Sequence, residues 1–454
     1  MIRPPPHASS QVQPDWQATH PGTPRPRHGY AELIGVSSPS RSLTCPAAMP
    51  RLRVLLALLI GATSAAALVA GCGGGTQLIN GPGPALGIQS QTPHAVQKLG
   101  FPAVATKNTT RVGGGDPIAD AAGVALAVYP SSGRGTHPGA VTLAPVDDWQ
   151  AAVASAVLMA PPIRAPILFS KSSGVPSATA EALTALAPTG SGAAGGAQVI
   201  KLGDVATPAG FSAATISGKD PFSLAAAIDR FASAARGKTS SNVVVASADA
   251  PAYSMPVAGW AAESGEPVLF VNGSGIPDQT KQALLSHQSP HIYVVGPKDV
   301  ISDQILGQLR KYGSVKRVSG ADPSANSVAF ATYRDPPCAY GQPCAHIPGS
   351  FGWAMRSPGH GYVLVNSRRP LDAAAAAPLS ASGTYGPELV LDDSATLPSS
   401  LLNFFLNYAT PGYTQQGPTA AVYNHGWVIG DPTAVSLTAQ AEMDNLLEAI
   451  PQKP

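Results

Sequence analysis

EPVLFVNGSGIPDQT, Glu266 to Thr280, joins a short apolar run, a polar turn and a proline-led stretch. Two further versions exist: APILFSKSSGVPSAT, Ala165 to Thr179, and GPELVLDDSATLPSS, Gly386 to Ser400. The apolar run has the length of a strand, and Ser, Gly, Asn or Asp mark the turn after it. Pro176, Pro277 and Pro398 fit the first turn of a helix, where a missing N–H costs nothing and φ is already set. Leu183 and Leu186, then Leu284 and Leu285, then Leu401, Leu402 and Phe405 supply the apolar helix face that follows. A strand feeding a helix, three times over, predicts three tandem α/β units.

The flanks repeat as well. Upstream of each copy stand Asp116-Pro117, Asp220-Pro221 and Asp322-Pro323, each ahead of an Ala-rich stretch. Asp as N-cap with Pro at the next position starts a helix for two independent reasons. In the second of these helices Leu224, Ile228 and Phe231 form one packing stripe. Downstream, VIKLGD, IYVVGPKDVIS and GWVIGDPTAVS each read as a strand ending in glycine. The spacing of about a hundred residues is too long for a solenoid and suits small domains. SNVVVASAD carries the continuous valines of a strand buried on both faces. Strand–helix alternation throughout predicts α/β architecture: three tandem Rossmann-like three-layer units with mostly parallel sheets.

This ordered triplet of motifs resembles the cell-wall-binding repeat 2 family of bacterial surface proteins. The resemblance runs from about Arg111 to the C-terminus, with units over 111–215, 216–317 and 318–454. The third unit carries two insertions, Asp335 to His360 and Thr410 to Thr419. It departs from the pattern in having Leu-Asp-Asp where the first copy has Phe-Ser-Lys, and the usual second glycine after the terminal strand is absent throughout. The family implies non-covalent binding of an anionic cell-wall polymer by three modules around a pseudo-threefold axis. Lys171, Lys298, Arg368 and Arg369 follow strand ends, where open α/β sheets collect ligands, and are the candidate polymer-binding residues.

Residues 1–48 lack any apolar period and read as an over-long gene start. From Met49 the chain runs MPRLRVLLALLIGATSAAALVAGC: two arginines, an apolar stretch too short for a membrane span, then small residues before Cys72. Val69-Ala70-Gly71-Cys72 resembles a lipobox, so 49–71 is expected to be a lipoprotein signal peptide and Cys72 the lipidated residue. A plain signal peptide is the alternative. Two acyl chains would anchor the protein stably to the bilayer. Residues 72–110, rich in Gly and Pro, read as a tether. The expected location is extracytoplasmic, on the outer face of the cytoplasmic membrane. Residues 1–71 hold six of the 28 basic and two of the 26 acidic residues, so 22 against 24 remain and the mature charge is −2. A nucleic-acid partner loses its electrostatic basis.

Cys338 and Cys344 lie in RDPPCAYGQPCAHIP and are expected to form a disulfide, with a metal site including His346 as the alternative. Arg236-Gly237-Lys238-Thr239 echoes the end of a phosphate-binding loop but follows a helix and lacks the earlier glycine. Gly203, Gly296 and Gly430 end strands ahead of expected helices, so their amides are candidates for anion binding as well as tight turns. Asp147, Asp148, Asp249 and Asp372 follow strand ends, as paired carboxylates or as caps. With no zinc-protease pair, nucleophile elbow or dinucleotide fingerprint, the expectation is a binding protein without cofactor or catalytic step. The rival readings are a solute-binding lipoprotein, which needs two lobes with hinge strands, and an envelope hydrolase.

Overall fold

The computed structural model describes residues 104–133, 135–341, 343–413 and 421–451. The signal-like segment and Cys72 lie outside the described residues. The described residues begin with β1 (Val104–Ala105) and β2 (Thr109–Val112), an antiparallel pair. A first sheet contains β3 (Val141–Pro145), β4 (Ile167–Ser170), β5 (Val199–Leu202) and β6 (Ala213–Ile216), in the order β4-β3-β5-β6. A second contains β7 (Asn242–Ser247), β8 (Val268–Val271), β9 (His291–Val295) and β10 (Ser314–Val318), in the order β8-β7-β9-β10. The third module supplies β11 (Gly361–Asn366), β12 (Glu388–Leu391), the short β13 (Gly412–Tyr413), β14 (His425–Ile429) and β15 (Ile450–Pro451). β13 and β15 form a separate two-stranded pair. The strands of the three main sheets are parallel throughout, β1 excepted.

The third sheet is ordered β12-β11-β14-β2-β1, so its fourth main strand comes from ahead of the first sheet in sequence. β2 therefore takes the place that β6 and β10 hold in the other two modules. The stretch expected as tether is, from Val104 on, partly sheet.

Local chemistry makes the same substitution plain. Each strand-ending glycine has positive φ (62° at Gly203, 124° at Gly296, 89° at Gly430). Each donates its amide to the end of the neighbouring strand: Gly203 to Ile216, Gly296 to Val318, and Gly430 to Val112, at 2.9–3.0 Å. Those amides are spent within the sheet, which removes them as anion donors.

An arginine repeats this pairing. Arg317 of β10 donates to the carbonyls of Gly296 (2.7 Å) and Ile301 (2.8 Å). Arg111 of β2 donates to Gly430 (2.7 Å) and Val435 (2.6 Å), and its Nε to Gln440 Oε1 (3.0 Å). The third module is thus built to the same plan as the second, with its last strand delivered from the N-terminus.

Asp116, Asp220 and Asp322 cap their helices as expected, each with Pro next. Pro176, Pro277 and Pro398 sit one position earlier than expected, as N-cap residues with extended ψ near 150°. Thr179 and Thr280 then hydroxyl-bond the strand carbonyls of Phe169 (2.6 Å) and Phe270 (2.7 Å). Leu401 occupies that place in the third copy, and Ser324 of the preceding helix bonds the equivalent Val390 carbonyl instead, at 2.7 Å.

The centre is built from the chain that follows the first strand of each sheet. Trp149–Met159, the helix Val257–Ser264 and the helix Pro370–Ser380 pack on one another. Ala373 to Ala377 are all fully buried there, and small side chains let the helices approach closely. A Cβ on Gly259 would stand 2.6 Å from Ser380 Oγ. The main apolar core runs through all three modules; a smaller one lies under the other face of the second sheet.

Candidate functional site

β3 and β11, which open the strands of the first sheet and of the third module, end at a shared cleft of about 460 Å3. Val146, Asp147 and Trp149 form one wall, and Arg368, Arg369 and Leu371 the other. Trp149 is fixed edge-on against Phe270 of the second module, ring centroids 5.6 Å apart. The first and third modules line this cleft, and the second holds Trp149 in place.

Arg368 and Arg369 are neighbours with different surroundings. Arg368 is exposed, its backbone held by Asn366 Oδ1 at 2.9 Å. Arg369 turns inward, and its side chain is only 17% exposed. Its Nε lies 2.7 Å from Asp372 Oδ2, its Nη2 pairs with Asp120, and its Nη1 stands 3.8 Å from Asp431. Asp120 and Asp372 are fully buried. Burial pushes both carboxyls above their ordinary range, Asp120 the more strongly because Asp372 adds its charge. Arg369 is thus committed to the seam between the first and third modules. The helix Pro370–Ser380 starts beside Arg368 with Pro at its first turn and no side-chain cap, so its positive end lies at the cleft wall. Exposed guanidinium, aromatic edge and helix terminus suit an anionic, hydroxylated ligand, with Asp147 placing one carboxylate opposite.

Lys171 and Lys298 stand exposed after β4 and β9 and line a different part of the surface from this cleft. Of the carboxylates past strand ends, Asp148 caps its helix through Ala151 N at 2.8 Å, and Asp249 accepts from Gly273 N at 2.6 Å. Cys338 and Cys344 form the disulfide, Cα atoms 5.6 Å apart, which takes both thiolates out of reach of a metal. Among the described residues no group of His, Cys, Asp and Glu suits a metal ion, and no helix is long and apolar enough to cross a membrane. Arg236 is the last residue of its helix, and Gly237 N and Lys238 N bond back to Ala234 and Ser233, so this segment makes no phosphate loop.

Asp120, Asp431 and Arg111 escaped sequence reasoning. One signal for Asp120 was present: it falls four residues after the N-cap, where the second unit has Leu224 and the third Asn326. Both polar versions bond back to the preceding glycine turn, Asp120 to Gly114 N (2.6 Å) and Asn326 to Gly320 N (3.1 Å).

Residues 215–306, the central module, match the family model described as cell wall binding domain 2 (CWB2), the family that the repeated motifs resemble. Among solved structures, Cwp8 from Clostridium difficile shares the fold with a TM-score of 0.55 at 19% identity, over 75% of this chain and 52% of that one. Cwp6 from Clostridium difficile gives 0.57 at 16% identity, over 75% of this chain and 48% of that one. The chain spans about half the length of these two structures. No curated protein matches it in sequence.

Proposed function

We propose that this chain is a surface protein of the bacterial envelope whose three modules hold an anionic cell-wall polymer without a covalent bond. The observation that carries this reading is the match of 215–306 to a cell wall binding domain, in a chain that builds that module three times. The cleft at the ends of β3 and β11 is the first contact site, with Arg368 pairing acidic groups of the polymer and Trp149 bordering its sugars. Lys171 and Lys298 add contacts elsewhere on the first and second modules, so weak individual sites sum to avidity on a long polymer. Anchoring through a diacylated Cys72 after removal of residues 49–71 fits the Val-Ala-Gly-Cys motif and would hold the modules facing the wall. The reading needs no catalytic step. Three sheets sharing a continuous core argue against a two-lobed solute-binding protein, which needs hinge strands between lobes.

Arg368→Ala is the clean test, because Arg369→Ala would also strip two buried carboxylates of their partner. Retention on purified walls should fall for Arg368→Ala, and fall for the parent as salt rises, with melting unchanged. Equal retention by parent and variant at low and high salt would remove this cleft as the site. Mass spectrometry finding an unmodified N-terminus away from Cys72 would remove the anchor.

A further inference from the structure

Glu388, the first residue of β12, stands where the other two modules place an aliphatic side chain. Strand register fixes the comparison. Ile167 of β4 pairs with Thr142 of β3, Val268 of β8 with Val244 of β7, and Glu388 with Val363 of β11, each just after a proline. All three are buried, Glu388 completely. Its side chain lies at the joint between the second and third modules. A Cβ on Gly259, in the helix Val257–Ser264 of the second module, would stand 3.1 Å from Glu388 Cγ. It would also stand 2.6 Å from Ser380 Oγ, at the end of the helix Pro370–Ser380. Glycine at 259 therefore makes the room that the acid occupies.

Neither Glu388 Oε1 nor Oε2 has a hydrogen-bond partner among the described residues, and Ser380 Oγ has none either. An ionised carboxylate in that setting costs far more than one that keeps its proton. Burial accordingly raises its pKa well above the ordinary range, opposed by the Gly259 amide. The titratable and polar groups on the surrounding elements are engaged elsewhere. Glu263, on the Gly259 helix, acts on Tyr385, and Arg369 pairs with Asp372 at the far end of the Ser380 helix. Ser324 and Ser327, on the helix Pro323–Thr332, bond the backbone of Val390. Tyr362 of β11 and His360 just before it pack on each other. Glu266 supplies a contrast within the same molecule. It is buried too, but it accepts from Asn242 Nδ2 and Trp260 Nε1 with Arg236 nearby, and its pKa is pushed up to about 7. With less to favour its charge, Glu388 keeps its proton to a higher pH than Glu266 does.

We infer that Glu388 is a proton-held latch: the second and third modules pack together with its carboxyl neutral, and loss of that proton to solvent loosens the joint between them. The sign follows from linkage. Opening returns the carboxyl to its ordinary value of about 4.5, so from there up to the pKa of the closed joint opening becomes about tenfold easier per pH unit. Hydrogen exchange of the intact chain between about pH 5 and about pH 9, corrected for intrinsic rates, reads this directly. Protection of residues 257–264 and 388–391 should fall by up to about tenfold per pH unit relative to residues 141–145 of the first sheet. Glu388→Val, which restores the side chain found in β8, should abolish that slope, and so should Glu388→Gln. Glu266→Gln should leave the slope above about pH 7 in place. Protection that does not change with pH in the parent, a slope that survives in Glu388→Val, or one that vanishes in Glu266→Gln would overturn the latch.

Discussion

Replacing Arg111 by methionine tests whether the first strand is held in the last sheet as described. The substitution keeps most of the side-chain volume and removes the guanidinium. Three buried acceptors lose their donor at once: the carbonyls of Gly430 and Val435, and Gln440 Oε1. Arg111 is fully buried, and burial lowers its pKa to about 10 while the nearby charges of Asp431 and Asp120 act to raise it. Each buried acceptor left without a donor costs about 1–3 kcal/mol, so the three together are expected to cost about 3–5 kcal/mol or more. Arg317→Met is the internal control: the equivalent two carbonyls, of Gly296 and Ile301, are involved, but its ion partner Asp303 is 77% exposed and water replaces what is lost. The expected cost there is about 1–2 kcal/mol. Urea denaturation gives both numbers, and hydrogen exchange reports whether β2 and β14 open below the global transition. Equal costs at the two arginines, or an Arg111→Met loss under about 1 kcal/mol with β2 still protected, would refute the argument.

Gly259→Val should cost about 1–3 kcal/mol or more by overpacking the central helices, read as a lower melting temperature; an unchanged melt would mean the helices have slack. Breaking the Cys338–Cys344 link with paired serines should cost roughly 2 to 3 kcal/mol at most, because the ring is short, and unreduced peptide mapping should recover the link in the parent. Stability should decline as pH rises from about 5 to about 7. Burial pushes Glu266 up to about 7, so the folded state holds a proton the unfolded state has released, and that stabilisation is lost as pH rises from 4.5 through 7. Buried His360 and His425 are shifted down and oppose this only below their ordinary pKa, so acid gains fade under about pH 6. Glu266→Gln should flatten that decline; a parent curve with no such slope would count against the burial argument.

The modules were legible because their signals are local. Asp-Pro helix starts, apolar strands and strand-ending glycines act over a few residues, and each appears where the sequence placed it. The seam between the ends of the chain was not legible. Arg111 and Gln440 lie 329 residues apart, and nothing local in Thr109–Val112 tells a strand of one sheet from a strand of another. The cationic candidates show the same limit. Arg368 and Arg369 are adjacent in sequence, and only the positions of Asp120, Asp372 and Asp431 decide that one faces solvent and the other the seam. The inserted loop was read as a disulfide ring, while its hold on the start of β7, from Asn242 Nδ2 to Ser350 O, depends on a contact between modules.

The delivery of β2 to the last sheet bears on how copies of the chain behave while folding. The slot beside β14 recognises parallel backbone and one arginine, and neither identifies which molecule brings them. Until residues 425–429 are in place, the first strand of every copy is an unpaired edge, and at that stage a neighbour's slot is as good as its own. Intramolecular closure wins when chains are dilute, since its entropy cost grows only slowly with loop length. Crowded chains should instead trade first strands and form swapped pairs, each module intact and each seam made between two molecules.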